Sequence, residues 1–373
     1  MKVRVHKLFD YLLETTAADP PECFIGFSLS RSPRLADFLT DLDPDLSLDW
    51  NGVSFLGLPV LRQRVLDQAR LALPLDSVLI TAGAAEANYL LFRQLLTAGD
   101  EIITETPGWP QAGVMARAIG ATLIEVPRHE ADLWHLDPDA VAAAITPRTR
   151  MIFLTNPNNP TGRLIPAADL RALAALADRH GIWLVVDEVY AGLEWAGPRP
   201  PAIAGMTPFG ITTGSVSKAL GLQGLRTGWL ICQTPGVIRD AMILRENASE
   251  IMNTLGEHIA EVALRPERLA DALARARAEA LVTLDRLDRF VTDERHLSWH
   301  RPEAGLIGLA RVKGIAGETL ARRLLGPPWR TFVLPGSAYG QPDHIRLGVG
   351  GGPETRLDEG LRRLQLCLQD LQG

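Results

Sequence analysis

The chain has 373 residues, 46% of them hydrophobic and 22% charged, with a formal net charge of −6; this suffices for one large or two ordinary domains and excludes a disordered chain. Its 38 basic against 44 acidic residues argue against a nucleic-acid or anionic-membrane surface, and no apolar run approaches the roughly 18 residues needed to span a bilayer. Cys23, Cys232 and Cys367 are far apart and odd in number, fitting neither a disulfide framework nor metal-ligand spacing, and residues 1–10 do not read as a signal peptide, so a cytoplasmic protein is expected.

In chain order, the run Leu79-Ile-Thr-Ala-Gly-Ala-Ala-Glu predicts a strand turning directly into a helix over 84–96. Short β-branched or apolar runs recur at 101–104, 121–126, 151–155, 182–186, 210–213 and 228–232, and segments with helical spacing lie between them at 110–119, 137–145 and 167–180. Strands that are apolar almost throughout and alternate with helices predict a parallel sheet covered on both faces. From there to residue 290 the chain predicts two or three long helices, with Pro266 at a break. Strands are expected again at 304–311, 331–334 and 344–348, and a closing helix over 354–371. That is an α+β tail beside an α/β body.

Chemistry in such a sheet sits beyond the carboxyl ends of its strands. The turn at Gly83, Ala84 and Ala85 exposes backbone N–H groups at a helix N-terminus, where a phosphate binds without side-chain charge; taken alone, a tight structural turn is the better reading. The run Thr155-Asn-Pro-Asn-Asn-Pro-Thr-Gly combines a path fixed by prolines with amide donors. In Leu184-Val-Val-Asp-Glu-Val-Tyr a carboxylate, Asp187, ends a buried strand, which is costly unless a cation meets it. Lys218, in Gly214-Ser-Val-Ser-Lys-Ala-Leu-Gly-Leu-Gln-Gly-Leu-Arg-Thr-Gly, is the only lysine between positions 8 and 312 in an arginine-rich chain. An amine kept there suggests chemistry, because arginine cannot lose its proton to become a nucleophile.

Together these loops resemble the class I/II aminotransferases, enzymes of fold type I that use pyridoxal 5′-phosphate (PLP). The resemblance rests on Asn-Pro-Thr-Gly, Asp-x-x-Tyr, Ser-x-Ser-Lys and Gly-Leu-Arg-x-Gly in that order, and runs from Leu58 to Arg346. It implies an α/β fold with a mainly parallel central sheet sandwiched by helices: a large PLP-binding domain over 46–265, a small α+β domain over 266–373, and residues 1–45 packing with the small domain. It implies that Lys218 forms the internal aldimine and later moves the proton between Cα and C4′, and that Asp187 pairs with the pyridinium nitrogen so that the ring acts as an electron sink. Asn159 and Tyr190 would hydrogen-bond O3′. Ser215, Ser217 and Arg226 would hold the phosphate with the backbone around Gly83, Ala84 and Ala85. Trp109 would stack on the pyridine, and Arg346 would bind the substrate α-carboxylate, with Ser30 and Asn159 beside it. The substrates implied are an L-amino acid and a 2-oxo acid, and the assembly a homodimer with active sites at its interface.

Two features depart from the family pattern. Ser30 and Arg31 stand where a Leu-Gly segment is usual near the substrate carboxylate. Gly52 stands where many members place a tyrosine that reaches the partner's phosphate, so Trp50 or Asn51 is the substitute to test. The runs Asn51-Gly-Val-Ser-Phe-Leu-Gly and Asn253-Thr-Leu-Gly-Glu-His-Ile-Ala resemble the capreomycidine-synthase-like branch, which implies as an alternative a PLP-dependent cyclase or lyase acting on an arginine-derived amino acid. A non-catalytic PLP-sensing regulator would need a DNA-binding module ahead of the motifs, and a nicotinamide dehydrogenase would need Gly-x-Gly-x-x-Gly after its first strand; neither pattern is present.

Overall fold

The computed structural model describes residues 20–49, 54–351 and 356–372. After β1 (Cys23–Phe24), a seven-stranded sheet is built from β2 (Val78–Thr81), β3 (Glu101–Thr106), β4 (Thr122–Pro127), β5 (Thr149–Thr155), β6 (Trp183–Asp187), β7 (Gly210–Ser215) and β8 (Gly228–Cys232). Its order is β2-β8-β7-β6-β5-β3-β4. The pairs from β4 through β7 are parallel, as the alternating pattern predicts, but β8 runs antiparallel to both its neighbours. A parallel return needs a crossover, usually a helix. The chain between β7 and β8 holds only the single turn Gln223–Leu225, so β8 comes straight back.

Side chains alternate across the sheet, which is why the strands read as unbroken apolar runs. Met151 and Phe153 of β5 face one core with helices Ala84–Leu95, Gln111–Ile119 and Pro235–Glu246. Ile152 and Leu154 face the opposite core with helices Pro138–Ala143 and Ala167–His180. Each fully buried side chain of this kind contributes about 1.5–3 kcal/mol.

The tail forms a second sheet, β12-β13-β10-β9, from β9 (Leu297–Trp299), β10 (Ile307–Val312), β12 (Leu334–Pro335) and β13 (His344–Gly348). The run expected at 331–334 splits: β11 (Thr331–Phe332) pairs in parallel with β1, and β12 pairs with β13. The run expected from 304 starts at Ile307, because Ala304 makes only an isolated bridge to Glu194. Pro266 opens helix Pro266–Asp293 at a position where a missing N–H costs nothing. That helix packs first on the large-sheet side, through Leu269 and Ala272, and then on the tail, through Ala276, Ala280, Leu284, Leu287 and Val291. β1, β9 and helices Pro59–Ala69 and Gly317–Leu325 were not legible in the sequence; the two strands span two and three residues, too short for a period-2 signal.

Residues 25–30 bond to both parts of the molecule. The N–H of Gly348 donates to the carbonyl of Ile25 at 2.8 Å, and the N–H of Ser30 donates to the carbonyl of Lys218 at 3.3 Å. The segment therefore straps the tail to the loop after β7. Among the described residues no helix is long and apolar enough to cross a membrane, and no group of three or more His, Cys, Asp or Glu could hold a metal ion.

Candidate active site

The carboxyl ends of β2, β3, β5, β6 and β7 open on one edge of the large sheet. Register places Thr155, Asp187 and Thr213 side by side on β5, β6 and β7. Above them lies a cavity of about 570 Å³, closed on the other side by Phe27, Ser28, Leu334 and Arg346 from the strap and the tail.

Asp187 forms the floor and is 5% exposed. Asn88 Nδ2 donates to its Oδ2 at 2.7 Å, and the N–H of Val189 donates to its Oδ1 at 3.1 Å. Burial nevertheless pushes its pKa up to about 6, against the lowering effects of those hydrogen bonds and of Lys218. Lys218 is partly buried and donates to Ser28 Oγ at 3.3 Å. Burial, then the charges of Arg346 and Arg226, push its pKa down to about 8. Tyr190 is pushed up to about 12 by burial, so its phenol stays a hydrogen-bond donor throughout the useful pH range.

One end of the cavity is built for an anion. Helix Ala84–Leu95 starts at Gly83 with no side-chain cap, so the first N–H groups, those of Ala84 and Ala85, have no intrahelical acceptor. Ser215, Ser217 and Arg226 line the same end. Arg226 is solvent-exposed and donates to the carbonyls of Ala82 and Gln223 at 3.4 and 3.3 Å. Gly83, at φ +84°, lets it come close: a Cβ there would stand 2.6 Å from Arg226 Nη2. At the other end Arg346, 4% exposed, donates through Nη1 to Tyr339 Oη at 2.6 Å and to Asn159 Oδ1 at 3.2 Å, and through Nη2 to the carbonyl of Gly26 at 2.9 Å. Its Nε is buried without a partner.

Of the residues singled out by sequence, the structure brings Ala84, Ala85, Trp109, Asn159, Asp187, Tyr190, Ser215, Ser217, Lys218, Arg226 and Arg346 to this one cavity. Gly83 stands just behind its wall. Ser30 does not line it: its hydroxyl is buried without a partner, and the strap turns Ser28 inward instead. Trp50 and Asn51 lie outside the described residues. Sequence reading missed Asn88, Gln111, Ser28 and Tyr339. Asn88 left a signal, an amide among alanines and leucines on the buried face of its helix; nothing local marks the others.

The cavity fits PLP. A buried carboxyl with no salt-bridge partner among the described residues matches a protonated ring nitrogen, an amine of lowered pKa matches an aldehyde carbon, and the uncapped helix with two serines and an arginine matches a phosphate.

Comparison with known proteins agrees. The pattern of the aminotransferase class I and II family matches residues 52–364. Similar proteins include the arginine–pyruvate transaminase AruH of Pseudomonas aeruginosa, 31% identical over 343 residues that cover 85% of this chain and 82% of AruH. Another is a probable aspartate/prephenate aminotransferase of Thermus aquaticus, 30% identical over 326 residues that cover 84% and 82% of the two chains. Among solved structures, a PLP-dependent aminotransferase from Streptococcus suis shares the fold with a TM-score of 0.90 at 24% identity, covering 99% of each chain. The PLP-dependent cyclase OrfR superposes with a TM-score of 0.87 at 26% identity, covering 100% of this chain and 98% of its own.

Proposed function

The chain belongs to the class I and II aminotransferases and is a PLP-dependent aminotransferase, and from that premise we propose which of its residues carry the reaction. Bound PLP supplies the electron sink for the carbanion that forms at Cα of the amino acid. The residues supply attachment, orientation and proton movement. The observation that carries the assignment is geometric: one cavity brings together the buried carboxylate Asp187, the amine of Lys218 and an uncapped helix N-terminus beside Ser215, Ser217 and Arg226, and burial shifts the first two groups in opposite directions.

Lys218 Nζ holds the cofactor and, once released by substrate, takes the proton from Cα; an amine that is partly neutral near pH 8 can do both. Ser28 Oγ holds that amine inside the cavity. Asp187 meets the ring nitrogen, and Trp109 covers the ring face. Asn159 and Tyr190 donate to the ring oxygen, while Ser215, Ser217, Arg226 and the N–H groups of Ala84 and Ala85 hold the phosphate. Arg346 binds the α-carboxylate common to the amino acid and the 2-oxo acid: its guanidinium lines the cavity and spends three of its five N–H groups on Tyr339, Asn159 and the Gly26 carbonyl. A homodimer is part of the same reading. It is supported by exposed apolar side chains crowding the stretch from Leu35 to Val60: Leu35, Leu39, Leu48, Phe55 and Val60.

The test is a single-turnover absorbance experiment. Holoenzyme meets one amino acid at a time, arginine and aspartate included, with no 2-oxo acid present. Conversion of bound PLP to stable pyridoxamine 5′-phosphate by one of them identifies the donor. Consumption of the amino acid with PLP regenerated would instead place the chain with cyclases such as OrfR in reaction type.

A further inference from the structure

Asn88 is 1% exposed and sits on a buried helix face with Ala84, Leu91 and Phe92. A leucine would satisfy that face, and an amide is costly there unless it is fully bonded. It is bonded on both sides. Its Oδ1 accepts from Thr213 Oγ1 at 2.9 Å, and its Nδ2 donates to Asp187 Oδ2 at 2.7 Å. Thr213 is the strand neighbour of Asp187, so one rigid sheet edge fixes both partners of the amide. A flipped amide would set its oxygen against the carboxylate.

The same Nδ2 lies 3.3 Å from Gln111 Oε1, which also accepts from Trp109 Nε1 at 3.3 Å, while Gln111 Nε2 donates to the carbonyl of Ala85 at 2.9 Å. The ring-covering wall, the anion end and the carboxylate floor are thus joined through two amides. We propose that Asn88 is a positioning residue: oriented by Thr213, it keeps Asp187 in its carboxylate form and aimed into the cavity, and Gln111 ties that setting to Trp109 and the helix N-terminus. The proposal rests on Asp187 being the partner of the ring nitrogen.

Other charges around Asp187 are Lys218 from the loop after β7, with Arg226 and Arg346 beyond it, and Tyr190 on its own loop. Glu188, next in sequence, is paired with Arg199, and Glu105, bonded to Thr155 on the β5 side, is paired with Arg128. Among the described residues, only Asn88 Nδ2 and the Val189 N–H donate to the carboxylate of Asp187.

The test measures binding of pyridoxamine 5′-phosphate, which cannot join Lys218, to apoprotein by calorimetry from about pH 5 to about pH 9, across the range where Asp187 titrates. The probe's own titrations are common to all variants, so differences between variants report the protein. Without the Asn88 donor, Asp187 protonates at higher pH and binding weakens earlier on acidification. Asn88→Leu therefore shifts the acid limb upward by roughly one pH unit and weakens binding roughly tenfold below it. Thr213→Val shifts it the same way by less, and the double variant is no worse than Asn88→Leu. Should Asn88→Leu fail to fold, as read by circular dichroism, Thr213→Val carries the test alone. An unshifted acid limb in the folded variant, with Asp187→Ala still losing affinity, overturns the proposal and leaves the reading of Asp187 standing. Wild-type affinity in Asp187→Ala overturns both.

Discussion

The two ends of the cavity bind charge by different means. At the floor, Asp187 is 5% exposed, held by two fixed donors, and its pKa is raised to about 6. At the anion end, Arg226 is open to solvent and, among the described residues, bonds two carbonyls at 3.3–3.4 Å, beside hydroxyls and backbone N–H groups. A charge in the dry interior acts strongly on whatever faces it, and that is where tuning of the chemistry belongs. Several modest donors at a wet rim confer affinity and tolerate loss of any one of them. The difference predicts that substitutions at the floor lower turnover as well as cofactor affinity, whereas those at the rim act on cofactor affinity and leave turnover near wild type.

The severest break is Lys218→Ala, which should lower turnover by at least about 10⁴-fold, since both attachment and proton transfer go, while circular dichroism shows an unchanged fold. Wild-type turnover in this variant would end the assignment. Next, Asp187→Ala should lower kcat by about 10²–10³-fold, against about three- to tenfold for Tyr190→Phe, which loses one neutral hydrogen bond. Equal small effects would mean that the floor carries no special charge.

The third comparison is thermodynamic and uses apoprotein. The folded-state pKa of Asp187 is raised from 3.8 to about 6, so the native state binds the proton more tightly than the unfolded one. Its contribution is therefore intact below pH 3.8 and falls as pH rises through about 6. Asp187→Ala should remove that slope: relative to wild type, its stability in urea titrations should climb by up to about 3 kcal/mol between the two pH values. Burying a carboxylate ahead of its partner strains the apoprotein in favour of the site. The smallest effect is expected from Arg226→Gln, roughly tenfold in the Kd for cofactor at low salt and less at high salt, with kcat near wild type. A kcat loss matching that of Asp187→Ala would erase the distinction between the ends.

Much of the site was legible because its pieces are local. The strands β8 and β13 and helix Ala167–His180 have the predicted limits, since apolar runs and helical spacing are properties of neighbouring residues. Each motif sits on one strand-end loop, where the backbone path and the side chain are specified together: Asn159 after β5, Asp187 at the end of β6, Lys218 after β7. The misplaced and missing residues share a different origin. The resemblance implies Ser30 beside the substrate carboxylate, but which serine of the strap faces the cavity depends on how the strap docks on Gly348 and Lys218. Tyr339 reaches Arg346 from a short turn that has no periodicity to read.

The amino-acid sequence by itself determined the covered sheet, the order of its helices and the residue types at the strand ends, because burial patterns and reactive groups are written in short segments. Tertiary structure alone decided that β8 runs back, that helix Pro266–Asp293 serves two cores, and that Asn88 meets Asp187 across 99 positions of chain. Those outcomes depend on which distant surfaces close on one another, and a hydrogen bond from a helix side chain to a strand-end carboxylate exists only once the helix has packed on the sheet.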